Sequence, residues 1–207
     1  MKTPANDAPC RGRPRCFDPE VALDKAMRVF WEKGYLGTSL LDLTEAMGIN
    51  RPSLYSAFGN KEALYRKVLE RYAQGPTACL HGSVNQPSAR AVASHRLHGI
   101  VELLTAPDNP GTCLWVHGVL SCGGINDPLA SDLALHRVTV RTELLKRFER
   151  ARAENDLPPE ADPAALADFL QTVTCGLAVL AFTGASREDL LRVVETTLRA
   201  WPAARTE

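Results

Sequence analysis

Arg51, Ser53, Tyr55 and Ser56 lie close together and offer a cation, two hydroxyls and a phenol. Asn50 precedes them and can cap a helix, and Pro52 falls in its first turn, where a missing N–H costs nothing. On such a helix Leu54 and Phe58 point inward and the four polar groups are displayed outside. That set suits the edge of a DNA major groove. Arg51 can read guanine O6 and N7 or sit on a phosphate; a good bidentate base contact gives about 1–3 kcal/mol of discrimination. Lys61 begins the next helix, where its ammonium and the nearby N–H groups can hold a phosphate.

A second cationic group lies upstream, in Arg11-Gly12-Arg13-Pro14-Arg15. An extended arm of this kind fits the narrow, electronegative minor groove of A·T-rich DNA. GRP flanked by Arg resembles the core of an AT-hook. The alternative is a solvated tail, and the composition of residues 1–16 predicts disorder when free.

Cys113 and His117 stand four apart, hence on one helical face, with Cys122 near the same face and Cys79 and His81 elsewhere. They read either as a ligand pair or as a packing thiol beside a hydrogen-bonded pocket histidine. The six cysteines form no CxxC pair, so no metal is expected. As nucleophile and base, the pair lacks an Asn or Asp orienter at a recognisable spacing. There is also no G-x-S-x-G elbow, no Gly-rich phosphate loop and no paired-carboxylate signature. The chain therefore reads as a non-enzyme that needs no cofactor.

The elements that must position these residues are helices. Asp18-Pro19 starts one that runs to Lys33, with a stripe of Val21, Ala22, Ala26, Val29 and Phe30, and Gly34 stops it. Thr38 can cap a helix over 39–47, whose apolar face is Leu40, Leu43 and Met47, and Gly48 permits the left-handed turn that ends it. Ile49 is a pivot before the 50–58 helix. Asn60 caps a helix into the low 70s with Leu64, Val68 and Leu69 inward. Gln74-Gly75-Pro76 marks a boundary between domains 17–75 and 76–207. Further helices are predicted from Pro87-Ser88 to about Leu104, Thr112 to Cys122, Pro128 to about Glu154, Asp162-Pro163 to about Phe182, and Ser186 through Trp201. Leu166, Phe169, Leu170, Val173, Leu177, Leu180 and Ala181 span most of one helix circumference, which demands burial on more than one side. Leu190, Leu191, Val194, Leu198 and Trp201 form the stripe of its neighbour. A four-helix contact between two copies would bury both, and a homodimer is favoured over a monomer core.

Apolar residues make up 45% and charged residues 23%, as in ordinary soluble proteins. Net charge is zero, so an attractive field for DNA must be local; residues 1–72 hold 12 Lys+Arg against 9 Asp+Glu. No apolar run approaches the ~20 residues of a membrane span, and the polar, Pro-rich N-terminus lacks a signal-peptide core. A cytoplasmic location with reduced thiols and no membrane partner is expected.

The pattern G-Y-x-x-T-S-x-x-D-L-x-x-A-x-G-I-x-x-x-S-L-Y-x-x-F-x-x-K-E-x-L, from Gly34 to Leu64, resembles the TetR family of bacterial transcription repressors. The resemblance implies an all-α fold of about nine helices. An N-terminal three-helix helix-turn-helix domain would precede a C-terminal helical ligand-binding and dimerisation domain, whose last two helices pair with a partner subunit. It also implies that Thr38, Ser39 and Tyr55 are phosphate ligands. Ser56 and Ala57 stand where many members carry an aromatic residue and His. The expected partners are a near-palindromic double-stranded DNA operator and a small, apolar effector that releases it. Candidate lining for the effector pocket is Leu97, Val101, Trp115, His117, Phe148, Phe169 and Val173. Gly111-Thr112-Cys113-Leu114 resembles, with Thr112 inserted, a Gly-Cys-Leu motif of one branch in which the cysteine of some members senses oxidants or electrophiles. Cys113 is thus a candidate redox sensor as well as a packing thiol. A different class, a helical protein-interaction module without DNA binding, also fits the helices alone.

Overall fold

A computed structural model describes residues 17–121 and 128–202. The Arg-rich arm with Arg11, Arg13 and Arg15, and Cys122, lie outside the described residues. The described residues form ten α-helices and one 3-10 turn, with no strand among them.

The first four helices build the polar face predicted around Arg51. In α1 (Pro19–Gly37) Asp18 caps the start, its carboxylate accepting from Glu20 N at 2.8 Å. Ala22, Ala26 and Phe30 are buried as the periodicity predicts, joined by Leu23 and Trp31, whereas Val21 is half exposed. Gly34 kinks the helix instead of ending it, at φ 68°, and the chain winds on to Gly37. In α2 (Leu40–Met47) the cap is Ser39, not Thr38: Ser39 Oγ accepts from Asp42 N, and Asp42 accepts from Ser39 N. Gly48 then takes the left-handed conformation at φ 70°. Asn50 caps α3 (Arg51–Phe58) and Asn60 caps α4 (Lys61–Gln74), each through a side-chain oxygen three residues ahead of the N–H it accepts. Leu43, Leu54 and Leu64, one from each of α2, α3 and α4, are fully buried.

A short helix that periodicity did not resolve, α5 (Ala78–Gly82), leads through a 3-10 turn at Ser83–Asn85 into α6 (Ala89–Leu104). Five residues are too few to repeat an apolar period. Next come α7 (Leu114–Ser121), α8 (Pro128–Ala153), α9 (Pro163–Phe182) and α10 (Arg187–Arg199). Gly111 has φ 77°, and Thr112 and Cys113 precede α7 instead of lying within it.

The expectation that no apolar segment approaches membrane-spanning length fails for α9, which is long and apolar enough by length and composition. Ala167, Leu170, Leu177 and Ala178 of this helix pack inside the chain, while Phe169, Val179, Leu180 and Phe182 remain exposed. The apolar stripe of α10 behaves differently. Leu190, Val194 and Trp201 are buried within the chain, and α10 packs along α6.

Candidate functional site

The α2–α3 pair presents the polar surface that the residue types predict. Leu54 and Phe58 are buried, while Arg51, Pro52, Tyr55 and Ser56 are exposed and Ser53 is partly so. Among the described residues no ion pair involves Arg51, so its charge is available on the outer face. Ser39 is exposed at the start of α2, its hydroxyl donating to Asp42 Oδ2. The Asp42 carboxyl is held well below the usual range by Lys33 first and then by Ser39. Lys61 sits with its ammonium 4.4 Å from the centre of the Tyr35 ring, and burial lowers its pKa. Thr38 departs from the expectation. It is buried, and its hydroxyl donates to the Gly34 carbonyl at 2.6 Å, so its side chain secures the α1–α2 corner instead of facing outward.

A cavity of about 310 Å³ opens among α5, α6, α7, α8 and α9. Leu80, Ile100, Val116, Leu133 and Val140 supply an apolar wall, and His81, Arg96, Trp115 and His136 supply polar groups. The Trp115 indole stacks on the His136 ring, centroids 3.5 Å apart and planes 5° apart, and His81 meets His136 edge-on at 5.6 Å. Burial, then the neighbouring His81 and Arg96, hold His136 down to about 4, so the ring is neutral at pH 7.

Of the seven residues expected to line an effector pocket, Trp115 lines this cavity and the other six lie elsewhere. Leu97, Val101 and Phe148 are fully buried core. Phe169 lies on the outer face of α9 against Trp201, ring centres 6.4 Å apart. Val173 packs partly buried against the core, and His117 turns to Phe182 at 5.4 Å. The apolar period finds the most buried face of a helix, and in α6 the cavity lies one residue, about 100°, away from it. There Arg96 and Ile100, a pair four apart, take the place expected of Leu97 and Val101. The sequence signal for this is a cation interrupting the apolar row Val92–Arg96–Ile100.

Cys113 reaches the cavity wall but is buried, and burial pushes its thiol pKa up. A protonated, enclosed thiol is a poor nucleophile. Cys113 stands immediately before α7, which begins at Leu114, and its carbonyl accepts from His117 N at 2.8 Å.

The cavity and the N-terminal helices share α7. Trp115, Val116, Val119 and Leu120 face the cavity. On the other side α7 packs along α1 and α4, and a Cβ at Gly118 would lie 2.8 Å from Tyr65 Oη. Arg66 of α4 donates to Asp132 of α8 at 2.6 Å, a second tie between the two groups of helices.

Residues 22–68 match the family described as bacterial regulatory proteins, tetR family. The chain is 37% identical over 198 residues to the HTH-type transcriptional repressor ComR of Escherichia coli (strain K12), covering 93% of this chain and 92% of that one. It is 32% identical over 192 residues to the HTH-type transcriptional repressor BdcR of the same organism, covering 86% of each. Among solved structures, a cysteine mutant of the TetR family transcriptional regulator CifR complexed with 26-base-pair double-strand operator DNA superposes with a TM-score of 0.86. That protein is 40% identical, over 92% of this chain and all of the other.

Proposed function

The chain belongs to the TetR family of bacterial regulatory proteins and is a DNA-binding transcriptional repressor; we propose that it works as a cytoplasmic homodimer released from its operator by a small molecule in the α5–α9 cavity. The observation that carries this reading is the pairing of an outward polar face on α3 with a cavity that shares α7 with the same group of helices. In the proposal α3 of each copy enters the major groove of one operator half, and Arg51, Ser53, Tyr55 and Ser56 meet base edges and phosphates. Ser39 and Lys61 add phosphate contacts at helix N-termini, and Arg11, Arg13 and Arg15 track the minor groove. The division into residues 1–16, 17–75 and 76–207 belongs to the same reading.

Dimerisation through α9 is supported by its exposed Phe169, Val179, Leu180 and Phe182. An apolar face of this kind on a soluble protein marks an association surface. Two-fold symmetry then matches a near-palindromic operator. A ligand that displaces Trp115 and Val116 would move α7 against α1 and α4, and with them the spacing of the two recognition helices.

The test is a mobility-shift assay with DNA from upstream of the chain's own gene. A shift that is lost in Arg51→Ala supports the reading. Failure to shift any such fragment would favour a helical protein-interaction module instead.

A further inference from the structure

Arg96 is a buried cation at the cavity wall that forms no ion pair among the described residues. Its side chain is 7% exposed, at the wall of the cavity. Nη1 donates to the Leu80 carbonyl at 2.9 Å, and Nε is buried with no partner. No carboxylate among the described residues forms an ion pair with it; Glu143, exposed on α8, acts on it only through space. Cys113 and Cys175 beside it do not supply the missing anion, since burial raises both thiol pKa values. His81 and His136 are held toward their neutral forms by burial and by Arg96 itself. A guanidinium taken out of water without a counter-charge is costly, so a fold that keeps one beside a cavity has a use for it.

A second donor nearby is also unmet. Trp115 Nε1 is buried without a partner, and the indole lines the same cavity. Both unsatisfied groups are donors, and neither can be satisfied by an apolar molecule. The rest of the wall is largely apolar, from Leu80, Ile100, Val116, Leu133 and Val140, with the polar groups of His136, Arg137, Gln171 and Thr174 among them. At about 310 Å³ the space is at the small end of ligand pockets.

We propose that the cavity takes a small amphipathic organic acid, its carboxylate bound by the Arg96 guanidinium and its hydrocarbon or aromatic body lying against α7 and α8. This rests on the reading of the cavity as an effector site and replaces the expectation of a wholly apolar effector. Arg suits the task because its planar fork matches a carboxylate and keeps its charge when desolvated. Trp115 Nε1 adds a hydrogen bond to the acid or to a substituent on its ring.

The test compares matched acids and amides on the full chain: phenylacetate against phenylacetamide, and octanoate against octanamide, in buffer free of other carboxylates and phosphate. Binding is read by calorimetry and by the shift in melting temperature. The acids should bind more tightly than the amides by at least ~tenfold, the scale of one charge-assisted hydrogen bond. In Arg96→Met that preference should collapse to within about threefold, while the unliganded variant melts at the same temperature or higher, because a buried unpaired charge has been removed. Arg96→Gln serves as a second neutral variant should the first misfold. Equal binding of acid and amide by the wild type, retention of the preference in both variants, or no melting shift with either acid at millimolar concentration would overturn the proposal. Operator binding without any acid is measured in parallel. If it is intact while the acids fail, only the ligand class is wrong; if it is absent, the repressor reading falls instead.

Discussion

The Trp31 indole Nε1 donates to the backbone carbonyl of Thr112 at 2.7 Å, joining α1 to the turn that leads through Cys113 into α7. The bond is buried, and the Trp31 ring meets Tyr72 of α4 edge-on at 4.9 Å. One side chain therefore fastens the N-terminal helices to the segment that walls the cavity. Trp31→Phe keeps most of the packing and removes the donor. We expect a stability loss of about 1–3 kcal/mol, from the unmet carbonyl and the smaller ring. Chemical denaturation followed by circular dichroism should show the lower midpoint.

On the proposed DNA-reading face of α3, Arg51→Ala and Tyr55→Ala should each lower operator affinity by roughly tenfold or more, given about 1–3 kcal/mol per lost contact. Both residues are exposed, so melting temperatures should stay within about 1 °C of wild type. Fluorescence anisotropy with operator DNA and a thermal melt separate the two effects. Unfolding on removal of Tyr55 would refute its outward placement.

The proposed dimer surface is tested at Leu180 and Phe182, which are 43% and 55% exposed. Leu180→Glu or Phe182→Glu should yield a folded monomer by light scattering with operator binding abolished, since one half-site alone binds weakly. Leu177 is 1% exposed in the same helix, so Leu177→Glu should instead unfold the chain.

Gly118 of α7 lies tight against Tyr65 of α4 and Leu133 of α8. A Cβ there would stand 2.8 Å from Tyr65 Oη and 3.2 Å from both terminal carbons of Leu133. Gly118→Ala should push α7 away from α4 and destabilise the fold by about 1–3 kcal/mol. If α7 carries the signal, operator affinity changes as well, and anisotropy checks this.

The pH dependence centres on His136, whose folded pKa of about 4 lies below the ordinary 6.5. Above 6.5 the ring is neutral in both states and has no effect. Between 6.5 and about 4 the unfolded chain takes up a proton that the folded chain refuses, so stability falls as pH drops through that window. The loss is at most about 3 kcal/mol, less because the ring is partly exposed. His136→Phe keeps an aromatic ring against Trp115 and should flatten the slope. Melting temperatures measured from pH 4 to 8 decide it.

Most of the reading domain was legible in the residues because its determinants are local. Asp18-Pro19, Asn50, Asn60 and Gly48 act through bonds to N–H and C=O groups a few positions away, which fixes helix ends regardless of the rest of the fold. The exposed set on α3 follows from the same logic, since Leu54 and Phe58 mark the buried side. The cap at Ser39 was missed by one position because Thr38 and Ser39 have the same chemistry. Only the kink at Gly34, which brings its carbonyl to the Thr38 hydroxyl, distinguishes them.

The cavity was a tertiary decision. Periodicity names the most buried stripe of each helix, and Leu97, Val101 and Phe148 were found that way and proved to be core. A cavity forms where stripes from α5 to α9 fail to meet, and that depends on how five helices cross, information that no single helix carries. His81 and His136 lie 55 positions apart and Trp115 lies between them in the chain, yet the three rings meet in one place. The same holds for α10, whose Leu190, Val194 and Trp201 are buried within the chain where the helix packs along α6. By itself the sequence settled nine of the ten helices among the described residues, most of their caps and the polar residue types exposed on α3, because these are short-range. The long-range packing of those helices decided which apolar faces were left over, and that Arg96 was buried with a backbone carbonyl but no carboxylate beside it.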